Sequence, residues 1–198
     1  MEKKPLFHFQ PGSRTFSVAT VGCNFRCQHC QNWEISQYGH RHRGEPLPGD
    51  AFAPEEIVEA ALRTGCRSVS YTYTEPTVFM EYAFDTATLA RRRGLRNIFV
   101  TNGYMTPEAV DYIAPVLDAA NVDLKGLREE VMKRELKARP GPVLECVRRL
   151  HERGVWLEAT TLVIPGSNDS DEELAGIAAF IAGVDRDLWA DSGACFGV

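Results

Sequence analysis

Two kinds of segment alternate along this chain. Short runs of β-branched and aromatic residues recur at 15–21, 68–74, 97–101, 121–124 and 155–164, and they read as strands. Longer stretches of mixed apolar and polar positions at 54–63, 77–93, 106–117, 129–137, 142–153 and 170–184 read as helices. The punctuation agrees. Pro54, Glu55 and Glu56 open one helix and Gly65 closes it; Gly94 stops the next; Thr106, Pro107 and Glu108 open another; and Ser170, Asp171 and Glu172 cap the last. Asn102-Gly103 and Pro165-Gly166 read as turns. Residues 34–50 are polar and rich in Gly and Pro, so they read as loop. Five strand–helix units predict a parallel sheet in an α/β fold. Helices would lie outside, and loops at the strand C-terminal ends would carry the chemistry, as in an open or closed barrel. No low-complexity tract and no strict repeat interrupts the scheme.

Composition narrows the class. With 198 residues, 44% hydrophobic and 25% charged, the chain is expected to be one domain with a real core. The net charge is −5, and the basic triplet Arg91-Arg92-Arg93 sits at a helix end, where cations suit the helix dipole. Nucleic-acid binding has no footprint in this pattern. No apolar run is long enough to span a bilayer, and Met1-Glu2-Lys3-Lys4 lacks a signal-peptide core. Six cysteines in a chain of this size, three of them tightly clustered, fit a reducing cytoplasm better than a disulfide framework.

The clustered three are Cys23, Cys27 and Cys30, in Val21-Gly22-Cys23-Asn24-Phe25-Arg26-Cys27-Gln28-His29-Cys30. Three thiolates at this spacing can hold three corners of a cubane [4Fe–4S] cluster and leave the fourth iron open. A zinc site with His29 as fourth ligand is the alternative, although no second Cys-x2-Cys follows and Cys66, Cys146 and Cys195 stand alone. Other candidates fall where strands end: Glu75 in Thr74-Glu75-Pro76, Asn102 in Thr101-Asn102-Gly103, Asp123 with Lys125, and Ile164 and Pro165 before Gly166. Each has a plainer reading. On that reading Glu75 is a helix-start carboxylate, Asn102-Gly103 only a turn, and Asp123 and Lys125 a surface ion pair. Their common position beside the cysteine loop favours a shared site.

Cys-x3-Cys-x2-Cys after a strand, with Gly22 before it and Gln31-Asn32-Trp33 after it, resembles the radical S-adenosylmethionine (SAM) superfamily. Cys30-Gln31-Asn32-Trp33-Glu34-Ile35-Ser36-Gln37, Tyr73-Thr74-Glu75-Pro76-Thr77, Val100-Thr101-Asn102-Gly103-Tyr104, Asn121-Val122-Asp123-Leu124-Lys125 and Thr160-Thr161-Leu162-Val163-Ile164-Pro165-Gly166 are similar to the radical SAM enzyme of the AmmeMemoRadiSam system. So are Glu2-Lys3-Lys4-Pro5 and the residues that follow them. That group is related to pyruvate formate-lyase activating enzymes.

The resemblance implies a partial (βα)6 barrel holding a [4Fe–4S] cluster on Cys23, Cys27 and Cys30. Its open iron would chelate SAM, and reductive cleavage would give a 5′-deoxyadenosyl radical. His29 would lie near the adenine, which Ile164 and Pro165 would border. Glu75 would meet the SAM amino group and Asn102 the ribose and methionine end. Asp123 would sit near the SAM carboxylate or a cation. The implied partners are an electron donor such as flavodoxin or ferredoxin, with Memo-like and AMMECR-like proteins of the same system. The substrate would be a small molecule or a glycyl-radical protein. The match covers about residues 1–187, the expected radical SAM core. Residues 188–198 do not match, so they are expected to form an atypical tail, with five of the family's six strand–helix units present and the chain shortened at both ends. A non-catalytic iron–sulfur or zinc-binding partner module, or an inactive fragment, is the competing expectation.

Overall fold

The computed structural model describes residues 6–194, and their side chains as far as residue 190. Glu2, Lys3, Lys4, Pro5 and Cys195, named above, lie outside the described residues. Among the described residues six strands form one sheet: β1 (Thr15–Val18), β2 (Ser68–Tyr71), β3 (Arg96–Thr101), β4 (Ala119–Asp123), β5 (Trp156–Val163) and β6 (Trp189–Ala194). They pair in sequence order, every neighbour parallel. β1 and β6 are the two edges, so the sheet is an open, partial barrel rather than a closed one. The helices are α1 (Trp33–Ser36), α2 (Tyr38–Arg41), α3 (Pro54–Arg63), α4 (Met80–Arg92), α5 (Pro107–Ile113), α6 (Glu129–Val131), α7 (Pro140–Glu152) and α8 (Asp171–Val184).

Alternation along the strands divides the interior. Val69, Tyr71, Phe99, Ala120, Val122, Leu157 and Ala159 pack in the main core with α3, α4, α5, α7 and α8 residues such as Val58, Ala87, Ile113, Val147 and Ile177. The intervening positions face the concave side, and several of them are polar. Thr15 meets Ser70 at 2.7 Å and Thr160 donates to Asn121 at 3.0 Å. A core on the helix side with a polar concave face is what a barrel that binds a polar ligand requires.

The expected count of five strands is corrected. β6 occupies part of the stretch read as an unmatched tail, and its six residues pair with Glu158–Val163 of β5. The free N–H and C=O groups of β5 set that pairing, and backbone ladders need no particular side chains. Motif comparison is therefore blind to it. The loop expected at 34–50 also contains two helical turns, α1 and α2. The expected helix at 129–137 divides into α6 and a π-helical turn, Met132–Leu136, ended by Lys137 at φ 58°.

Residues 6–9 seal the base of the barrel. Leu6 is buried against Ile98 and Ala119, with Phe9 beside them. The Glu158 carboxylate, on the concave face of β5, accepts the N–H groups of Phe7 at 2.6 Å, His8 at 2.9 Å and Phe9 at 3.0 Å. Trp156 Nε1 adds a fourth donor at 3.2 Å. His8 stacks on Trp189 of β6 with ring centroids 3.6 Å apart. Hydrogen bonds to a charged acceptor contribute about 1.5–3 kcal/mol each. Glu158→Ala should therefore lower stability by at least ~2 kcal/mol in denaturant unfolding and speed amide exchange at Phe7, His8 and Phe9. Unchanged exchange at these three amides would show that side-chain packing alone holds the segment.

Candidate active site

The loop after β1 carries Cys23, Cys27 and Cys30, and distant elements hold it in place. Gly22 N–H donates to the Ile35 carbonyl at 3.0 Å, Arg26 N–H to Leu136 at 2.9 Å and Gln28 N–H to Glu135 at 3.0 Å. The last two acceptors are the final residues of the π-helical turn, whose carbonyls, like those at any helix end, have no partner within the turn and are free for the loop. Phe25 is buried and meets the Tyr104 ring edge-on at 5.2 Å. Gln37 Nε2 donates to the Phe25 carbonyl at 3.0 Å.

Beside the loop lies a cavity of about 290 Å³ at the C-terminal ends of β2, β3, β4 and β5. Its walls include Cys23, Cys27, Cys30, His29, Asn102, Asp123, Lys125 and Leu162. Six of the nine residues singled out from the sequence thus share one space. The other three lie elsewhere. Ile164 and Pro165 follow Leu162 beyond the cavity, in a turn where Ile164 N–H donates to Asn168 Oδ1 at 2.7 Å. Glu75 is completely buried behind the wall.

Glu75 serves two purposes there. It begins the 3-10 turn Pro76–Phe79, where its Oε1 accepts from Thr77 N–H at 3.1 Å and Thr77 Oγ1 at 2.6 Å. It also reaches β3, accepting from Thr101 Oγ1 at 2.7 Å and from Asn102 N–H at 2.8 Å. Burial raises its pKa, and the bonds from Thr77, Asn102 and Thr101 oppose that rise. Held by its backbone, Asn102 turns its amide to the cysteine loop. Nδ2 donates to Asn24 Oδ1 at 2.8 Å and approaches Cys23 Sγ at 3.7 Å, while Oδ1 accepts from Tyr104 N–H at 2.9 Å. Gly103 is required in this turn. Its φ is +70°, and an added Cβ would lie 2.9 Å from Val122 Cγ1 and 3.2 Å from Val143 Cγ1.

Asp123 and Lys125 form an ion pair at 2.8 Å, half-buried in the cavity wall rather than on the outer surface. Burial works against the Lys125 charge, but Asp123 and then Cys27 outweigh it and hold the ammonium above its ordinary range. Burial pushes the Cys27 thiol up to about 11, with Lys125 opposing, and the Cys23 thiol up to about 12, with Phe25 N–H opposing. Burial, aided by Lys125 and opposed by Glu135, lowers the pKa of His29. Among the described residues no group of three or more His, Cys, Asp or Glu side chains converges on one point as ligands of a single ion. Cluster ligands need not converge, because each thiolate binds a different iron. Three unpaired thiols sharing a cavity therefore fit a cubane.

Two supporting residues had no role in the sequence reading. Asn168 is buried and donates from Nδ2 to the Lys125 carbonyl at 3.0 Å and the Leu162 carbonyl at 2.9 Å, joining the ends of β4 and β5. An Asn three positions after Pro165 was the available signal, since such residues close turns on their own backbone. Ser36 ends α1, with its Oγ 3.3 Å from Cys30 Sγ; a lone helical serine gives no signal in a sequence.

Glu75→Gln should test the link from β2 to the loop. An amide nitrogen has to face one of the donors that the carboxylate now accepts, and one such bond is worth about 1–2 kcal/mol. Denaturant unfolding of the metal-free protein should show a loss of that order. Stability equal to that of the parent would mean that Glu75 does not anchor Asn102.

The profile described as the radical SAM superfamily matches residues 17–178. The chain is 45% identical over 181 residues to the uncharacterized protein MJ0808 of Methanocaldococcus jannaschii, covering 91% of this chain and 52% of that protein. It is 26% identical over 186 residues to the pyruvate formate-lyase-activating enzyme of Streptococcus mutans, covering 86% and 66% respectively. The chain thus spans about half to two thirds of these relatives. Its fold matches SuiB of Streptococcus suis bound to S-adenosylmethionine with a TM-score of 0.66 at 16% identity, over 94% of this chain and 42% of SuiB. The extent of the profile match, across β1 to α8 and through the three-cysteine loop, places this chain in the radical SAM superfamily.

Proposed function

We propose that this chain is the core of a radical SAM enzyme in which Cys23, Cys27 and Cys30 hold a [4Fe–4S] cluster and the adjoining cavity takes SAM. The meeting of the three thiols with Asn102, His29 and the Asp123–Lys125 pair in one cavity is the observation that supports this reading. When bound, the reduced cluster supplies the electron that cleaves SAM to methionine and a 5′-deoxyadenosyl radical, which takes hydrogen from the substrate. The chain's own residues bind and orient. Asn102 fixes Asn24 and so the loop, and its side chain borders the ribose and methionine end of SAM. Asp123 has one oxygen on Lys125 and sits near the SAM carboxylate or a bound cation. The His29 ring stands near the adenine, with Ile164 and Pro165 on its far border. Glu75 contributes to the SAM amino site through the position it gives Asn102.

Motif resemblance supports membership of the AmmeMemoRadiSam group, with Memo-like and AMMECR-like proteins as partners. Similarity to the streptococcal activating enzyme supports a glycyl-radical protein as the hydrogen-abstraction target, and the AmmeMemoRadiSam resemblance supports a small molecule in its place. A flavodoxin or ferredoxin would supply the electron. Five described cysteines, all unpaired, support a reducing cytoplasm.

Anaerobic reconstitution with iron and sulfide, followed by reductant and SAM, should yield about four irons per chain and 5′-deoxyadenosine. Cys23→Ala, Cys27→Ala and Cys30→Ala should each abolish SAM cleavage and lower iron content. Cys66→Ala and Cys146→Ala should retain both, because these thiols are buried in the main core and act as small apolar groups. One zinc per chain and no 5′-deoxyadenosine would overturn the proposal, as would loss of iron in Cys66→Ala with iron kept in Cys27→Ala.

A further inference from the structure

The three cysteine sulfurs have different surroundings. Cys23 Sγ receives the Phe25 N–H at 3.4 Å and the Asn102 amide at 3.7 Å. Cys27 lies within the field of the Lys125 ammonium. Cys30 has a hydroxyl: Ser36 Oγ at 3.3 Å, on a side chain shut away from solvent in a residue only 3% exposed.

The direction of that last bond follows from its neighbours. Gln37 Nε2 can only donate, and it donates to Ser36 Oγ at 3.4 Å. The serine oxygen is thus an acceptor on one side, and its hydrogen is left to point elsewhere. Elsewhere in this fold, helical hydroxyls return that hydrogen to the carbonyl four residues earlier: Thr64 to Ala60, Thr86 to Tyr82 and Thr88 to Phe84, each at 2.8 Å. Ser36 departs from that habit. The carbonyl four residues before it, on Asn32, accepts the Ser36 backbone N–H at 2.9 Å, while the hydroxyl faces the sulfur. A cysteine bound to iron has no hydrogen of its own, so the bond to Cys30 must run from oxygen to sulfur.

We propose that Ser36, oriented by Gln37, is a positioning residue that raises the reduction potential of the cluster by donating its hydroxyl hydrogen to Cys30 Sγ. This rests on the cluster reading above. One electron enters the cluster from a low-potential one-electron donor, and the added negative charge spreads onto the sulfurs. A donor hydrogen at a sulfur stabilises the reduced form more than the oxidised form and makes reduction easier. Ser36 also lines the cavity, so its effect on the electron is read in the absence of SAM.

The test is a potentiometric reduction of the anaerobically reconstituted full chain without SAM, using dithionite and viologen mediators, with the reduced fraction read by electron paramagnetic resonance. Ser36→Ala should take up the same iron as the parent but shift the oxidised-to-reduced equilibrium about ten-fold toward the oxidised form, the worth of one modest hydrogen bond. For one electron that is a midpoint about 59 mV more negative. Ser36→Thr, which keeps a hydroxyl, should move back toward the parent value. An unchanged midpoint in Ser36→Ala overturns the inference and leaves the cluster reading standing. Failure of Ser36→Ala to take up iron also overturns it, since the residue would then be needed for assembly. Failure of the parent chain to assemble a cluster removes the proposed function itself.

Discussion

The loop that carries the three cysteines has almost no secondary structure of its own, so its buried backbone groups must find partners elsewhere. Unmet buried N–H and C=O groups cost about as much as lost hydrogen bonds. That constraint organises the rest of the site. The carbonyls of Glu135 and Leu136 are free because they end their helical turn, the carbonyl of Ile35 comes from α1, and the amides of Gln37 and Asn102 reach in from either side. Asn102 stays where it is because Glu75 holds its backbone from within the protein. A change outside the cavity lining, in residues 132–137 for example, is thereby connected to the cysteines through hydrogen bonds rather than through shape alone.

The barrel repeat was readable because strand and helix composition alternate strongly and the helix starts and stops carry their usual residues. Helix α3 occupies the expected span of Pro54–Arg63, and Ser170 caps α8 by accepting the Glu173 N–H at 3.3 Å. β6 was not readable, because parallel pairing with β5 depends on the backbone. Within the site, six of the singled-out residues meet because strand C-terminal ends converge in such a fold. Glu75 stood at the right place along the chain, but no spacing rule says that its carboxylate turns inward to Thr101 and Asn102. Asn168 and Ser36 act through single hydrogen bonds that only the tertiary arrangement creates.

The electrostatics of the loop has a direct chemical meaning. Burial keeps the thiols of Cys23 and Cys27 protonated at neutral pH in the metal-free protein. In the proposed cluster site, loading iron would expel those protons, so assembly would be coupled to proton release. Lys125 works against burial at Cys27, and Asp123 in turn keeps Lys125 charged. The ion pair is thus part of the thiolate environment, which an exposed pair on the outer surface would not be.

The seal at the barrel base has a consequence for how the chain is made. Phe7, His8 and Phe9 are bound by a carboxylate 149–151 positions further along, and His8 rests on Trp189, which is made later still. At ribosomal speeds of about 5–20 residues per second, the first described residues leave the ribosome roughly 8–30 seconds before their partners exist. Leu6 has its packing partners Ile98 and Ala119 sooner, but the backbone of the segment has no carboxylate to bind until Glu158 follows. The earliest-made of the described residues are therefore among the last to reach their final place.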